Sequence, residues 1–486
     1  MIKSVSKIKI VLPVIIAIAV FVCRLQMLLQ SSEPAGLDGY FYALQAKSFA
    51  LNGRLENPDY KIGYYLCGIF AFLFRNPVLG CKIYASLISS LLVYSILIAL
   101  KKLKVNYGFS LMGAALCAAS FSVSSMCINF INNLTGITFF IFYVSSVFAF
   151  KEKKEKSVCN LLFPALLFIL CFLSHLVSAA FAFVFTVLVV LGKLSLKKQV
   201  ALVVFALIAG FLLFSRQLPR FKSVFSLGPV LPVFSPFMVK AIGYRICLEL
   251  SLAVLSGWIC FLATAAVFWK KRFFNCLIFM IPVLVFPFWN LNVLDMGYRM
   301  LLSAVPCIIV IMIFVLDKMI ASPRKTLAGV LLSIVLACVG FTTKSVYDVN
   351  RDPPYAYYKK IVQNIELPDD SLLIAHLGLN HVYTYEKNLR DALNYVPDFP
   401  VPVEKLWRLA YGVNPIAIEN QLYDETAETI EECLVKVDSS YVLIREDLWQ
   451  KFIEREEDIY VENYRNWYNP HTVRPAFIRK KINGRK

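Results

Sequence analysis

Acidic residues are nearly missing from the first 343 positions of this 486-residue chain, which hold nine Asp and Glu against 31 Lys and Arg. Histidine is scarcer still, with four in the whole chain. No Cys-x-x-Cys pair or His/Cys cluster occurs, which removes structural zinc sites. No Walker loop, Gly-x-Ser-x-Gly elbow or His-Glu-x-x-His helix stands in a credible context, which removes the commonest nucleotide-binding and hydrolase readings. The formal net charge of +18 would suit nucleic acid, but its distribution does not. Residues 344–486 carry 23 acidic and 19 basic residues and are mildly acidic, so the surplus belongs entirely to the first part. There it is gathered into short clusters between apolar runs, which is no nucleic-acid footprint.

What fills the first part is apolar. The chain is 58% hydrophobic, with 39 Phe and a mean hydropathy of +0.65, more than a soluble core can use. Six basic clusters punctuate it: Lys3/Lys7/Lys9, Lys101/Lys102/Lys104, Lys151/Lys153/Lys154/Lys156, Lys193/Lys197/Lys198, Lys270/Lys271/Arg272 and Lys318/Arg324/Lys325. Between them, runs of about 17–23 residues have the length a bilayer needs. They are 9–29, 78–100, 107–128, 133–150, 158–174, 176–192, 199–215, 247–269, 273–290, 300–316 and 326–343. The stretch 158–192 is too long for one crossing and divides at Ser174-His175. Positive charge collects in cytoplasmic loops, so all six clusters fall inside when the N-terminus is inside. The first run follows a basic start without a clear cleavage site and reads as a retained signal anchor. Of 13 Cys, eleven lie in or beside apolar runs, as small fillers; Cys67 and Cys433 are the exceptions.

The expected fold is an α-helical polytopic membrane protein of about 11 transmembrane helices with a small C-terminal extracytoplasmic α/β domain. Residues 1–343 form the membrane module, with a first outer loop over 30–77, and residues 344–486 form the soluble domain. Within the loop, an apolar segment from Leu37 to Leu51 stops at Asn52-Gly53, and a second runs from Ile62 to Phe74. Both read as helices lying at the outer interface. In the tail, 371–376 and 441–445 read as strands, and 426–437 and 448–456 as helices. No internal repeat suggests two related halves.

Carboxylates near the hydrocarbon boundary are costly and ask for a reason. Four of the nine, Glu33, Asp38, Glu56 and Asp59, share the first outer loop. Asp38 opens a helix whose spacing puts Tyr42, Gln45 and Phe49 on its face, and it reads equally as a helix N-cap or a general base. His175 stands at an outer turn, more often a structural place than a ligand's. Arg299 begins a late span, either as an interface anchor or as a functional cation. Arg216 and Arg220 lie in a second outer loop, 216–246, where basic residues meet lipid head groups.

The string Leu37-Asp38-Gly39-Tyr40-Phe41-Tyr42, closed by Asn52-Gly53 after an inward N-terminus, resembles the GT-C glycosyltransferases, which use polyprenyl-phosphate-linked sugars. Ser174-His175, Tyr298-Arg299 and the tail add to the resemblance. It implies an inverting transferase at the outer face of the plasma (inner) membrane with Asp38 as base. The substrate-binding candidates are Tyr42, Gln45, His175, Arg216, Arg220 and Arg299; the basic residues of the second loop, with Arg299, make the outer face locally positive, which suits a phosphate-bearing ligand. The partners implied are a lipid-linked sugar donor, a glycan, lipid or protein acceptor and membrane lipids, with no nucleic acid. Many members carry a second acidic residue beside that Asp, where this chain has Gly39, a departure that counts against metal dependence; a divalent metal stays open as a cofactor. A glycan polymerase or ligase, a lipid or solute transporter and a non-catalytic assembly subunit are the competing readings.

Overall fold

The computed structural model describes residues 2–36, 38–152, 157–191, 244–268 and 296–319. In the tail it describes 355, 359, 362–363, 372–375, 377–387, 422–424, 434–437, 440–443 and 480–482. In chain order the helices are α1 (Ile2–Leu28), α2 (Gly39–Asn52), α3 (Ile62–Phe74), α4 (Pro77–Lys102), α5 (Tyr107–Ala119) and α6 (Phe121–Asn129). They continue as α7 (Ile131–Glu152), α8 (Val158–Ser174), α9 (Leu176–Leu191), α10 (Tyr244–Phe268), α11 (Met296–Met319) and α12 (Leu377–Lys387). Among the described residues four helices are long and apolar enough to cross a bilayer, or five if the bent pair α5–α6 counts as one. The chain is an integral membrane protein. The expected spans 199–215, 273–290 and 326–343 lie outside the described residues.

Local chemistry sets the helix ends. Asn76 accepts from the Leu79 amide with Pro77 in the first turn, and Asn106 accepts from Gly108. Gly53 closes α2 in the left-handed conformation, φ 69°, where a Cβ would be strained. The apolar stretch 158–192 breaks at His175, whose extended backbone ends α8 and starts α9.

One expected span is not continuous. The run 107–128 bends by 49° at Ser120. A break in hydrocarbon exposes carbonyls on one side and amides on the other, and each needs a partner. Distant side chains supply them. Arg24 of α1, itself buried, donates to the Ala118 carbonyl at 2.8 Å and to Ser124 Oγ at 2.7 Å. Ser120 Oγ caps the Val123 amide, and Glu249 of α10 accepts from the Ser122 amide and hydroxyl, both at 2.6 Å. Cation at a helix C-terminus and anion at a helix N-terminus both match the macrodipole.

The two ends of the bundle differ. At one end Asp317 accepts from the Asn106 amide and pairs with Lys318, whose ammonium also reaches the Lys104 carbonyl. Two of the basic clusters thus meet there. At the other end α2 and α3 lie over the tops of α4 and α7, and the tail docks on them. Tyr355 donates to the Gly36 carbonyl at 2.8 Å, Lys47 to the Tyr385 carbonyl at 2.5 Å, and Lys359 pairs with Glu33 at 3.7 Å. Tyr40 meets Tyr355 and Tyr385 edge-on at 4.8 and 5.2 Å.

In the tail, β1 (Leu372–Ala375) pairs in parallel with β4 (Ser440–Leu443), which pairs antiparallel with β3 (Leu434–Val437). Strands β2 (Leu422–Asp424) and β5 (Lys480–Ile482) form a second antiparallel pair. The helix expected over 426–437 is therefore corrected at its end. Val435 and Val437 favour an extended chain, and 434–437 pairs antiparallel with β4.

The helix break yields a test. Glu249→Ala leaves the first amides of α6 without an acceptor and should destabilise the protein by about 1–3 kcal/mol, while Glu249→Gln keeps an acceptor and should cost less. Thermal unfolding in detergent checks this order.

Candidate functional site

Gly36 begins the site. Its φ of 81° belongs to glycine, and a Cβ there would lie 2.3 Å from the Ile128 carbonyl oxygen. Two residues on, Asp38 occupies the N-cap position of α2, but its side chain makes no capping hydrogen bond and its backbone, φ −92° and ψ 13°, is not the extended form of a usual cap. Capping therefore does not account for this carboxylate. Its half-buried charge faces Tyr42, one turn along α2, and Tyr64 of α3.

The two phenols pack at 5.2 Å, and Phe41 meets Tyr64 edge-on at 5.6 Å. Burial above all, then Asp38, raises the Tyr42 phenol far above its ordinary range, while Arg299 draws it back. Tyr64 is raised by burial, then by Tyr42, Asp59 and Asp38, with Arg299 again opposing. Both stay protonated donors. The Arg299 guanidinium lies 4.8 Å over the Phe130 ring, at the start of α7, where the Asn132 amide points to the Tyr42 hydroxyl at 3.5 Å.

His175 joins from the α8–α9 turn. Its Nδ1 accepts from the Val177 amide at 3.2 Å, which puts the proton of the neutral ring on Nε2. Burial first, then the charges of Arg299 and Lys61, push it down to about 3, so it is neutral at physiological pH. Lys61 pairs with Asp59 at 2.6 Å and lies 5.7 Å from the Tyr64 ring centre.

Asp38, Tyr42, His175 and Arg299, far apart in the chain, therefore share one neighbourhood. Gln45 does other work: its amide bridges the Asn57 backbone, accepting from N–H and donating to C=O at 3.1 Å each, and pins the loop between α2 and α3. Arg216 and Arg220 lie outside the described residues. Sequence reasoning missed Tyr64 and Lys61. Their signal was the i, i+3 spacing that puts Lys61 and Tyr64 on one face beside Asp59. Among the described residues no group of three His, Cys, Asp or Glu gathers as a metal site.

Elsewhere in the bundle α5, α10 and α11 enclose a groove of about 510 Å³. Leu116, Leu248, Leu252, Ile308 and Met312 line it, with Arg245 and Glu249 beside the break at Ser120.

No protein-family profile and no curated protein matches the sequence. Solved structures do match in shape. ArnT from Cupriavidus metallidurans bound to undecaprenyl phosphate superposes with a TM-score of 0.55 at 14% identity, over 84% of this chain and 88% of that one. The chain shares the fold of this structure. The apo form of ArnT gives 0.51 at 13% identity, over 78% of this chain and 84% of that one. The archaeal oligosaccharyltransferase AglB from Archaeoglobus fulgidus, in complex with an inhibitory peptide and a dolichol-phosphate, gives 0.50 at 11% identity. That match covers 76% of this chain and 63% of AglB. At these identities the likeness is one of fold.

Gln45→Leu should strand the Asn57 amide and carbonyl and destabilise the protein by about 1–3 kcal/mol. A drop in thermal unfolding temperature checks it.

Proposed function

We propose that the chain is a membrane glycosyltransferase that moves a sugar from a polyprenyl-phosphate donor to an acceptor at the outer face of the membrane, with inversion at the anomeric carbon. The observation that carries this reading is that one carboxylate, Asp38, and one guanidinium, Arg299, act with opposite sign on the same two buried phenols, Tyr42 and Tyr64. Direct displacement at a sugar phosphate asks for little more. The donor already has a good leaving group, so the acceptor hydroxyl needs one base, and the departing phosphate needs positive charge. Asp38 accepts the acceptor's proton as its oxygen bonds to the anomeric carbon. The bond from that carbon to the phosphate oxygen breaks, and Arg299 stabilises the freed phosphate, with Lys61 nearby.

The groove between α5, α10 and α11 suits the polyprenyl chain, being largely apolar with Arg245 and Glu249 as its charged lining. The ArnT structure that shares this fold carries undecaprenyl phosphate, and the AglB structure a dolichol-phosphate. The orientation rests on the basic clusters, two of which meet at the end opposite Asp38. It places the Asp38 end, the docked segment of the tail and an α/β domain over 344–486 outside.

Single-turnover transfer from a lipid-linked sugar tests the roles. Asp38→Asn should lose on the order of 10²–10⁴ in rate, because an amide cannot take the proton. Its thermal stability should barely change, since Asn matches Asp in size and serves about as well at a helix N-cap. Arg299→Ala should weaken donor use by roughly 1–3 kcal/mol. Near-normal turnover in a stable Asp38→Asn protein would remove the base.

A further inference from the structure

The first turn of α7 holds two amide side chains that the fold does not use. Asn132 and Asn133 are each 3% exposed, yet Asn132 Oδ1 and Asn133 Nδ2 have no hydrogen-bond partner. Their neighbours along the same helix behave otherwise. Thr135, Thr138 and Ser145 all return their hydroxyls to carbonyls one turn back, at 2.7–2.8 Å. A buried amide without a partner costs folding free energy that a leucine of similar size would not.

The structure also makes room for one of them. Asn132 Oδ1 lies 2.1 Å from where a Cβ on Gly63 would stand, so that position on α3 admits no side chain. Gly63 sits between Lys61 and Tyr64, and the backbone N–H of Asn132 points at the Tyr42 hydroxyl at 3.5 Å. The unused acceptor thus lies inside the Asp38 neighbourhood, and the unused donor is on the next residue. A phosphate oxygen accepts but does not donate, so it has no use for Oδ1. A hydroxyl group both donates and accepts.

We infer that Asn132 and Asn133 bind hydroxyl groups of the donor's sugar and are specificity-determining residues of the site. The inference rests on the glycosyltransferase reading above. Apolar neighbours discriminate weakly between sugars, whereas a buried amide left unpaired by the wrong epimer rejects it strongly. The two amides would therefore read the position and orientation of hydroxyls, while Arg299 holds the phosphate whatever the sugar.

Thermal stabilisation of the full-length protein in detergent tests this with undecaprenyl phosphate and with undecaprenyl-phosphate-linked glucose, galactose, mannose and N-acetylglucosamine. The wild type should be stabilised by the bare carrier and further by at least one sugar-bearing carrier. Asn133→Leu and Asn132→Ala should keep the response to the bare carrier and lose the sugar increment, with sugar-dependent affinity falling on the order of tenfold for each amide. Without ligand, both variants should melt no lower than wild type, because each removes an unpaired buried group. A full sugar increment in the variants, or a ligand-free melting point several degrees lower, overturns the inference and leaves the transferase reading standing. A wild type that responds to the bare carrier but gains nothing from any of the four sugars does the same. No response of the wild type to any of the five lipids overturns both.

Discussion

A polar group placed in hydrocarbon must find its partner inside the protein, and this constraint organises the whole bundle. It explains why the break at Ser120 is held by two charges from other helices. Arg24 meets the free carbonyl of α5 and Glu249 the free amides of α6. The bend in turn directs α6 toward Gly36 and the first loop, through the close approach of the Ile128 carbonyl. Charges that sequence hydropathy treats as costs are here the joints of the structure.

The same constraint makes the Asp38 neighbourhood stand out. Elsewhere in the bundle, hydroxyls such as those of Ser86, Ser95 and Thr138 are spent on the preceding turn. Around Asp38 the polar groups face one another across α2, α3, α7, α11 and the α8–α9 turn. A carboxylate, a guanidinium, two protonated phenols and a neutral imidazole share that space. The docked segment of the tail backs this arrangement from the side of α2, where Tyr355 holds the Gly36 carbonyl two residues before Asp38.

Hydropathy made the spans legible because bilayer thickness fixes their length, and α4, α7, α8 and α9 match the expected runs within a few residues at each end. His175 and Asn52-Gly53 were legible as punctuation. The break at Ser120 was not, since 107–128 is apolar throughout and its two partners lie 94 and 127 residues away in sequence. Helical spacing placed Gln45 with Asp38 but could not show that the loop at Asn57 folds back over that face. Nor could it see Tyr64 and Lys61 arriving from α3, or the two asparagines hidden at the start of an apolar run. The tail strands at 372–375 and 440–443 followed from composition, whereas β3 needed its partner strand to be recognised.

The central claim is that the Asp38 end of the bundle receives a polyprenyl phosphate. Photo-crosslinking with an undecaprenyl phosphate analogue, activated next to the phosphate and read by peptide mapping, tests it most directly. The account predicts adducts on α3, on the first turn of α7 and on α11 around Arg299, all competed by unlabelled undecaprenyl phosphate. Competed adducts confined to the opposite end, around Lys104 and Lys318, would contradict it.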